Sequence, residues 1–212
     1  MNIKRTLIET LPDSIKRQLA VPYDYYQTYR ADRQFADRTL PAYEPSSDAP
    51  DHIICIVVDA LRADHVDSET TPYLDSLNGC DAITPGAWTF PAVSSILSGV
   101  YPHEHGAMKQ TDEPDDSEGL TLPPKMDDDR ETITESLAGA GYDTYGGFGH
   151  DTPFVALAGR FEKHALYHSI NSNADDVFTD YLDWVGGRDR TFGFLHLADP
   201  HIPVDPPQAY WD

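Results

Sequence analysis

The sequence contains little cysteine and no long apolar run. Only two cysteines, Cys55 and Cys80, occur among 212 residues, which excludes a scaffold held by disulfides. The longest apolar run, residues 53–58, is far shorter than the roughly 20 residues that cross a bilayer, so no membrane span is predicted. Residues 1–20 are charged throughout and lack the apolar segment of a secretory signal. These absences predict a cytoplasmic protein.

Positive charge is scarce beyond residue 50. Residues 1–50 carry seven basic and seven acidic side chains, so the whole net charge of −21 lies in residues 51–212. Binding to a phosphate backbone requires a basic patch, so no nucleic-acid partner is predicted. Concentrated salt screens the self-repulsion of such a chain. The charge therefore predicts a halophilic protein, as in halophilic archaea, with an ordinary acidic surface as the alternative.

The first 50 residues differ from the rest. Residues 4–11 and 14–19 show short helical patterns, and Pro12 and Pro22 punctuate them. Residues 43–50 are rich in Pro, Ser and Asp. We interpret residues 1–50 as an N-terminal appendage and linker, and residues 51–212 as the main domain.

Strand and helix patterns alternate along residues 51–212. The β-branched run at residues 53–58 predicts a strand buried on both faces of a parallel sheet. Further strands are predicted at 142–148 and 191–197. Helices are predicted at 71–77, from Pro91 to Gly99, at 131–140 and at 175–185. The alternation predicts an α/β fold, with a mainly parallel central sheet flanked by helices.

Three residues stand where an α/β sheet binds its ligands. Asp59 and His201 follow buried strands, whose carboxyl ends share one edge of the sheet. Thr89 precedes a predicted helix whose first residues are Phe90 and Pro91, where the helix dipole favours an anionic group. A carboxylate metal ligand, a hydroxyl nucleophile and an imidazole together fit metal-assisted transfer at an anionic ester. Taken singly, Asp59 and Thr89 are also suited to helix capping, and His201 to a loop hydrogen bond.

Five segments in the same order resemble the sulfatase branch of the alkaline phosphatase superfamily. They read I-C-I-V-V-D-A-L-R-A-D-H-V (54–66), T-P-Y-L-D-S-L (71–77), A-W-T-F-P-A-V-S-S-I-L-S-G-V-Y-P-H-E-H-G (87–106), E-T-I-T-E-S-L-A-G-A-G-Y-D-T (131–144) and F-L-H-L-A-D-P-H-I-P-V-D-P-P (194–207). The resemblance runs from about residue 52 to residue 212 and implies the fold of that superfamily.

The resemblance implies roles for Asp59 and Thr89. Asp59 falls on a carboxylate ligand of a divalent metal, and Val58 replaces a second aspartate that many sulfatases have. Thr89 falls on the nucleophile, which also contacts the metal, and Val93 replaces the arginine of the C/S-x-P-x-R signature. Threonine cannot become formylglycine. Phosphodiesterase and phosphoglycerol-transferase relatives use unmodified threonine at this position.

The resemblance also implies two catalytic histidines. His201 matches the histidine that contacts the ester or protonates the leaving group, and His150 is the substitute for a lysine-containing segment of the family. Asp199 is a candidate ligand of a second metal or a turn residue before Pro200. The implied cofactor is a divalent metal (calcium, manganese or zinc), and the implied partner is a small anionic ester.

The sequence lacks one family feature after His201. No Asp-His or Asp-Asn pair follows, although superfamily enzymes complete the metal site with one. We therefore expect the chain to be the N-terminal portion of a sulfatase-like ester hydrolase or a truncated, non-catalytic homologue that binds an anion or a partner. An incomplete sheet also predicts self-association through its open edge.

Overall fold

A four-stranded parallel sheet forms the centre of the protein. The computed structural model describes residues 13–77, 79–108, 123–167 and 173–202. The strands are β1 (His52–Val58), β2 (Asp143–Phe148), β3 (Lys163–Leu166) and β4 (Thr191–Leu197), in the spatial order β1-β4-β2-β3. Every neighbouring pair is parallel. The predicted fold, a mainly parallel sheet flanked by helices, is confirmed.

The helices connect the strands in the order that an α/β fold requires. They are α1 (Asp13–Ala36), α2 (Pro72–Asp75), α3 (Thr89–Ser98), α4 (Pro102–His105), α5 (Ile133–Gly139), α6 (Asp151–Leu157) and α7 (Ala174–Val185), with a 3₁₀ turn at Ala63–His65. Helices α4 and α6 and strand β3 were not predicted, because such short elements show little periodicity. In the described ranges, no helix combines the length and apolar character that crossing a membrane requires.

Each face of the sheet packs against helices. On one face, phenylalanines of β2 and β4 join a buried cluster that includes α3 and α6. On the other face, α7 packs on β2 and β4 through Val177 and Tyr181. Gly193 of β4 makes this packing possible, because a Cβ there would lie 2.4 Å from the Tyr181 ring. The result is a layered α/β/α arrangement.

Strand β1 lies at an edge of the described sheet, and the prediction that both its faces are buried was wrong. Ile53, Cys55 and Val57 pack on the core. Ile54 and Ile56, on the opposite face, are 46% and 45% exposed. The sequence run is equally apolar on both faces, but α7 lies over β2 and β4 and leaves these two side chains uncovered.

Helix α1 is longer than its sequence pattern indicates. The pattern at residues 14–19 predicts a helix ended by Pro22, whereas α1 continues through Pro22 to Ala36. Its last turns pack against β3, with Ala31 and Phe35 buried. Tertiary packing of an apolar helix face outweighs the local effect of one proline. The pattern predicted at residues 4–11 lies outside the described residues, and the domain boundary at residue 50 stays a prediction.

Candidate active site

Polar side chains gather where three neighbouring strands end. Asp59 directly follows β1, and His196 is the last residue but one of β4. His201 lies beyond β4, and His150 lies beyond β2. Because β4 lies between β1 and β2, the carboxyl ends of all three strands meet at one edge of the sheet.

The carboxylate of Asp59 is the centre of this group. Its Oδ2 accepts a 2.9 Å hydrogen bond from the Thr89 hydroxyl and lies 3.1 Å from His196 Nε2. Burial raises the pKa of Asp59, but the hydrogen bonds from His196 and Thr89 and the nearby charges of His196 and His201 outweigh it, so the pKa falls to about 2. Asp59 is therefore ionised at neutral pH.

The backbone turns away from the sheet directly after Asp59. The Asp59 N–H donates to the Leu197 carbonyl at 2.9 Å, which extends the β1–β4 pairing by one residue. The next residue, Ala60, has a φ of 60°, in the left-handed region that residues other than glycine rarely adopt. The chain therefore leaves the sheet immediately after it has placed the carboxylate.

Thr89 is the first residue of α3, and the core holds that helix in place. Phe90 and Val93 are buried in the core cluster. At the other end, Ser95 Oγ lies 2.9 Å from Nε2 of the fully buried His105, which ties α3 to α4. The Thr89 hydroxyl thus lies at the positive end of an anchored helix, beside an ionised carboxylate.

His196 is a site residue that the sequence analysis missed. It is fully buried, and the pairing register places it between Val57 and Phe148. Because an ionised carboxylate only accepts hydrogen bonds, Nε2 carries the proton toward Asp59. Its Nδ1 is buried and has no hydrogen-bond partner in the described residues. A single histidine in the apolar run 191–197 was the signal that could have identified it.

The two histidines implied by the resemblance lie side by side. The ring centroids of His150 and His201 are 5.3 Å apart. His150 precedes α6, and its Nδ1 accepts a 3.1 Å hydrogen bond from the Thr152 N–H. Burial lowers the pKa of His150, and the neighbouring His201 lowers it further. The structure thus places Asp59, Thr89, His150 and His201 at the same sheet edge.

The donors at Asp59 suit one side of a metal site. The Asp59 carboxylate and the Thr89 hydroxyl are oxygen ligands of the kind that divalent ions take. Among the residues that the structure describes, no group of three or more His, Cys, Asp or Glu side chains is arranged to hold a metal. Asp59 and Thr89 therefore fit as part of a ligand set.

Asp199 takes a structural position. Its Oδ1 accepts a 3.1 Å hydrogen bond from the N–H of Ala174, the first residue of α7. The carboxylate therefore satisfies one of the free N–H groups that begin a helix. The role of Asp199 as a ligand of a second metal stays a prediction.

The sequence matches a protein-family model, and the fold is similar to that of two solved structures. The family model described as Sulfatase matches residues 51–212. Two solved structures of the C-terminal periplasmic domain of EcEptC from Escherichia coli, one of them a complex with Zn, superpose with TM-scores of 0.55 and 0.53 at 15% identity. Both superpositions cover 79% of this chain and about half of the other, 51% and 50%. No curated protein matches the sequence. The family match covers most of the chain and all of the site residues, and the chain belongs to the sulfatase family.

Proposed function

We propose that this chain carries the nucleophile end of a metal-dependent hydrolase of phosphate or sulfate esters, with Thr89 as the nucleophile. The observation that carries the proposal is the 2.9 Å hydrogen bond between Thr89 Oγ1 and Asp59 Oδ2 at the start of α3. It places a hydroxyl beside a carboxylate at the carboxyl edge of a parallel sheet, where α/β proteins bind ligands.

The charges at this position suit an anionic ester. The free N–H groups at the start of α3 favour a phosphate or sulfate group next to Thr89. Asp59, with a pKa of about 2, is too weak a base to remove the Thr89 proton at neutral pH. Its hydrogen bond therefore orients the hydroxyl, and activation needs a further group.

A divalent metal would supply that activation. Asp59 and Thr89 are the residues that would hold it. When bound, such an ion lowers the pKa of a coordinated hydroxyl and neutralises charge on the ester. Calcium, manganese and zinc remain the candidate ions.

In the proposed reaction, Thr89 is the nucleophile and His201 is the proton donor. The Thr89 hydroxyl gives up its proton to solvent water, and its Oγ forms a bond to phosphorus or sulfur while the bond to the leaving alcohol breaks, which gives an ester on Thr89. His201 donates a proton to the departing oxygen, and water then cleaves the Thr89 ester. His150, beside His201, contacts the substrate oxygens. We expect phosphate esters, including diesters, to be preferred over sulfate esters, since Thr89 cannot become formylglycine.

The experiment traps the Thr89 ester. The protein is incubated with bis(4-nitrophenyl) phosphate and calcium, manganese or zinc, quenched in acid and analysed by peptide mass spectrometry. We expect a 4-nitrophenyl phosphoryl adduct on the peptide that contains Thr89, formed with the release of one 4-nitrophenol. Thr89→Ala should abolish the adduct, and Thr89→Ser should retain part of it because the hydroxyl survives.

Ser98→Ala provides a matched control. Ser98 ends the same helix, and its hydroxyl has no hydrogen-bond partner in the described residues. The variant should form the adduct as the unmodified chain does. If the Thr89→Ala variant releases 4-nitrophenol as fast as the unmodified chain does, Thr89 is not the nucleophile. Absence of both adduct and release would favour a non-catalytic homologue that binds an anion or a partner.

A further inference from the structure

The backbone between β2 and α6 holds His150 close to strand β4. The Gly149 N–H donates to the His196 carbonyl at 2.9 Å, which extends the β2–β4 pairing by one residue. A Cβ at Gly149 would lie 3.0 Å from that carbonyl oxygen, so the absence of a side chain permits this close approach. The next residue, His150, precedes α6 and has its ring beside that of His201. The sheet and the start of α6 therefore both fix the position of His150.

The start of α6 also decides which ring nitrogen of His150 carries the proton. Nδ1 accepts a 3.1 Å hydrogen bond from the Thr152 N–H, one of the N–H groups that have no partner within the helix. A ring nitrogen that accepts a hydrogen bond carries no proton, so the neutral ring has its proton on Nε2. Protonation of Nδ1 would direct one N–H group at another and break this bond. His150 is therefore a neutral ring with an Nε2–H donor.

His201 has the opposite arrangement. Its Nδ1 lies 2.7 Å from the Ile202 carbonyl oxygen. A carbonyl oxygen only accepts hydrogen bonds, so Nδ1 carries a proton and Nε2 of the neutral ring is a free acceptor. The His201 backbone N–H donates to the Ala198 carbonyl at 2.9 Å, which holds the turn after β4. Among the described residues, neither His150 Nε2 nor His201 Nε2 has a hydrogen-bond partner. The neighbouring rings thus present one donor and one acceptor.

We propose that these two histidines have separate and fixed roles at the ester. His150 donates a hydrogen bond from Nε2–H to a non-bridging oxygen and keeps its proton, while His201 Nε2 carries out every proton transfer. These roles rest on the proposed function, which supplies the ester. Protonated His201 gives its Nε2 proton to the leaving oxygen as the Thr89 ester forms.

The second step returns that proton. A water molecule forms a bond to phosphorus and passes a proton to His201 Nε2, while the bond from phosphorus to Thr89 Oγ breaks. Thr89 Oγ takes a proton from solvent and becomes a hydroxyl again. His201 ends the cycle protonated, as it began. His150 forms and breaks no covalent bond in either step.

Charge and hydrogen bonding keep the mobile proton on His201. Burial lowers the pKa of His150, and a positive charge on the neighbouring His201 lowers it further. Protonation of His150 would also break its bond to the Thr152 N–H, whereas His201 gains a proton at Nε2 and keeps its bond to the Ile202 carbonyl. Hydrogen bonds to a charged acceptor are stronger than those between neutral groups. A neutral Nε2–H donor is therefore sufficient to hold an anionic oxygen.

The first measurement needs no turnover. Long-range proton–nitrogen NMR spectra of the chain labelled with ¹⁵N-histidine show which ring nitrogen carries each proton, and the His150→Asn variant assigns the His150 signals. We expect a proton on Nε2 of His150 and a bare Nδ1 at pH 7.5. Dimethyl phosphate, an anion with two non-bridging oxygens, should shift the Nε2 signal in buffer that contains calcium. A proton on Nδ1 of His150, or an Nε2 signal that dimethyl phosphate leaves unchanged, would overturn the assignment.

The His150→Asn variant separates the helix cap from the ring. Asparagine is among the best N-cap residues, because its side-chain oxygen accepts the same N–H group, but it is too short to reach the position of Nε2. The variant should keep the melting temperature and bind dimethyl phosphate at least about tenfold more weakly, as loss of a hydrogen bond to a charged group predicts. His103→Asn, at an exposed position of α4, is the matched control and should change neither property. Equal affinity in the His150→Asn variant and the unmodified chain would show that His150 is not the donor.

The Thr89→Ala variant distinguishes this assignment from the proposed nucleophile. The substitution removes the hydroxyl but leaves the Thr152 N–H and the ring of His150 in place. We expect the variant to form no adduct and to keep both the proton on His150 Nε2 and its response to dimethyl phosphate. An unmodified chain that shows the expected His150 signals but forms no Thr89 ester would refute the nucleophile alone.

Discussion

His196 Nε2 lies 3.1 Å from Asp59 Oδ2, which joins a fully buried histidine of β4 to the carboxylate that follows β1. These residues are 137 positions apart in the sequence, and the parallel pairing of β1 with β4 brings them together. Burial alone would raise the pKa of Asp59. The contact with His196 is the largest of the effects that lower it. The pKa of Asp59, the proposed metal ligand, therefore depends on His196, a residue that the sequence analysis did not predict for the site.

The first prediction concerns that dependence. In the His196→Phe variant, which keeps an aromatic ring in the core, the pKa of Asp59 should rise from about 2 toward its ordinary value of 3.8. Carbonyl-detected NMR of the Asp59 side chain during an acid titration measures it. His103→Phe, at an exposed position of α4, is the control and should leave the Asp59 pKa unchanged. An equal pKa in both variants would show that His196 does not control Asp59.

The second prediction concerns metal binding. Asp59 and Thr89 supply at most three oxygens, whereas zinc takes about four donors and calcium about six or more. Water would have to fill the remaining coordination positions. We therefore expect this 212-residue chain to bind calcium, manganese or zinc weakly, with a Kd no lower than about 1 mM. Titration calorimetry measures it, with Asp59→Asn as the variant that should lose the binding. Micromolar binding that depends on Asp59 would show that the ligand set is complete.

The third prediction concerns the docking of α1. His164 is buried in β3, its Nδ1 lies 2.9 Å from Asp32 Oδ1 of α1, and its Nε2 accepts from the Gly159 N–H. Burial lowers the pKa of His164 below its ordinary value, despite the neighbouring carboxylate. The unfolded chain therefore binds a proton below pH 6.5 that the folded chain excludes, so stability should fall as the pH drops below 6.5.

Urea unfolding between pH 7.5 and 5.5 measures this effect. The His164→Gln variant should show a flatter dependence on pH, by up to about 1.4 kcal/mol per pH unit for one proton. His103→Gln, at an exposed position, should keep the slope of the unmodified chain. Equal slopes in all three proteins would mean that His164 does not carry the proton linkage.

The fourth prediction concerns salt. Residues 51–212 carry the whole net charge of −21, and at about 2 M KCl screening lengths fall below roughly 3 Å. The melting temperature should therefore rise steeply between dilute buffer and 2 M KCl. A melting temperature that is independent of salt would contradict the halophile interpretation.

The sequence by itself determined the fold class and predicted Asp59, Thr89 and His201 for one edge of the sheet. The apolar runs at β1 and β4 and the helical stripes between them predicted a parallel sheet, because the local pattern of apolar residues reports which elements are buried. Asp59 and His201 after predicted strands and Thr89 before a predicted helix were identified for a similar reason, since strand ends and helix starts are local features. The structure places the side chains of Asp59 and Thr89 in direct contact.

Only the tertiary structure decided which apolar faces are covered and which distant side chains meet. Val177 and Leu182 of α7 are both apolar, yet Val177 is buried and Leu182 is exposed. The uncovered face of β1 and the contact between His196 and Asp59 were equally invisible in the sequence. Burial and strand register depend on which elements pack together, and residues far apart in the chain determine that packing. The local pattern identified the strands, while their order in the sheet brought His196 to Asp59.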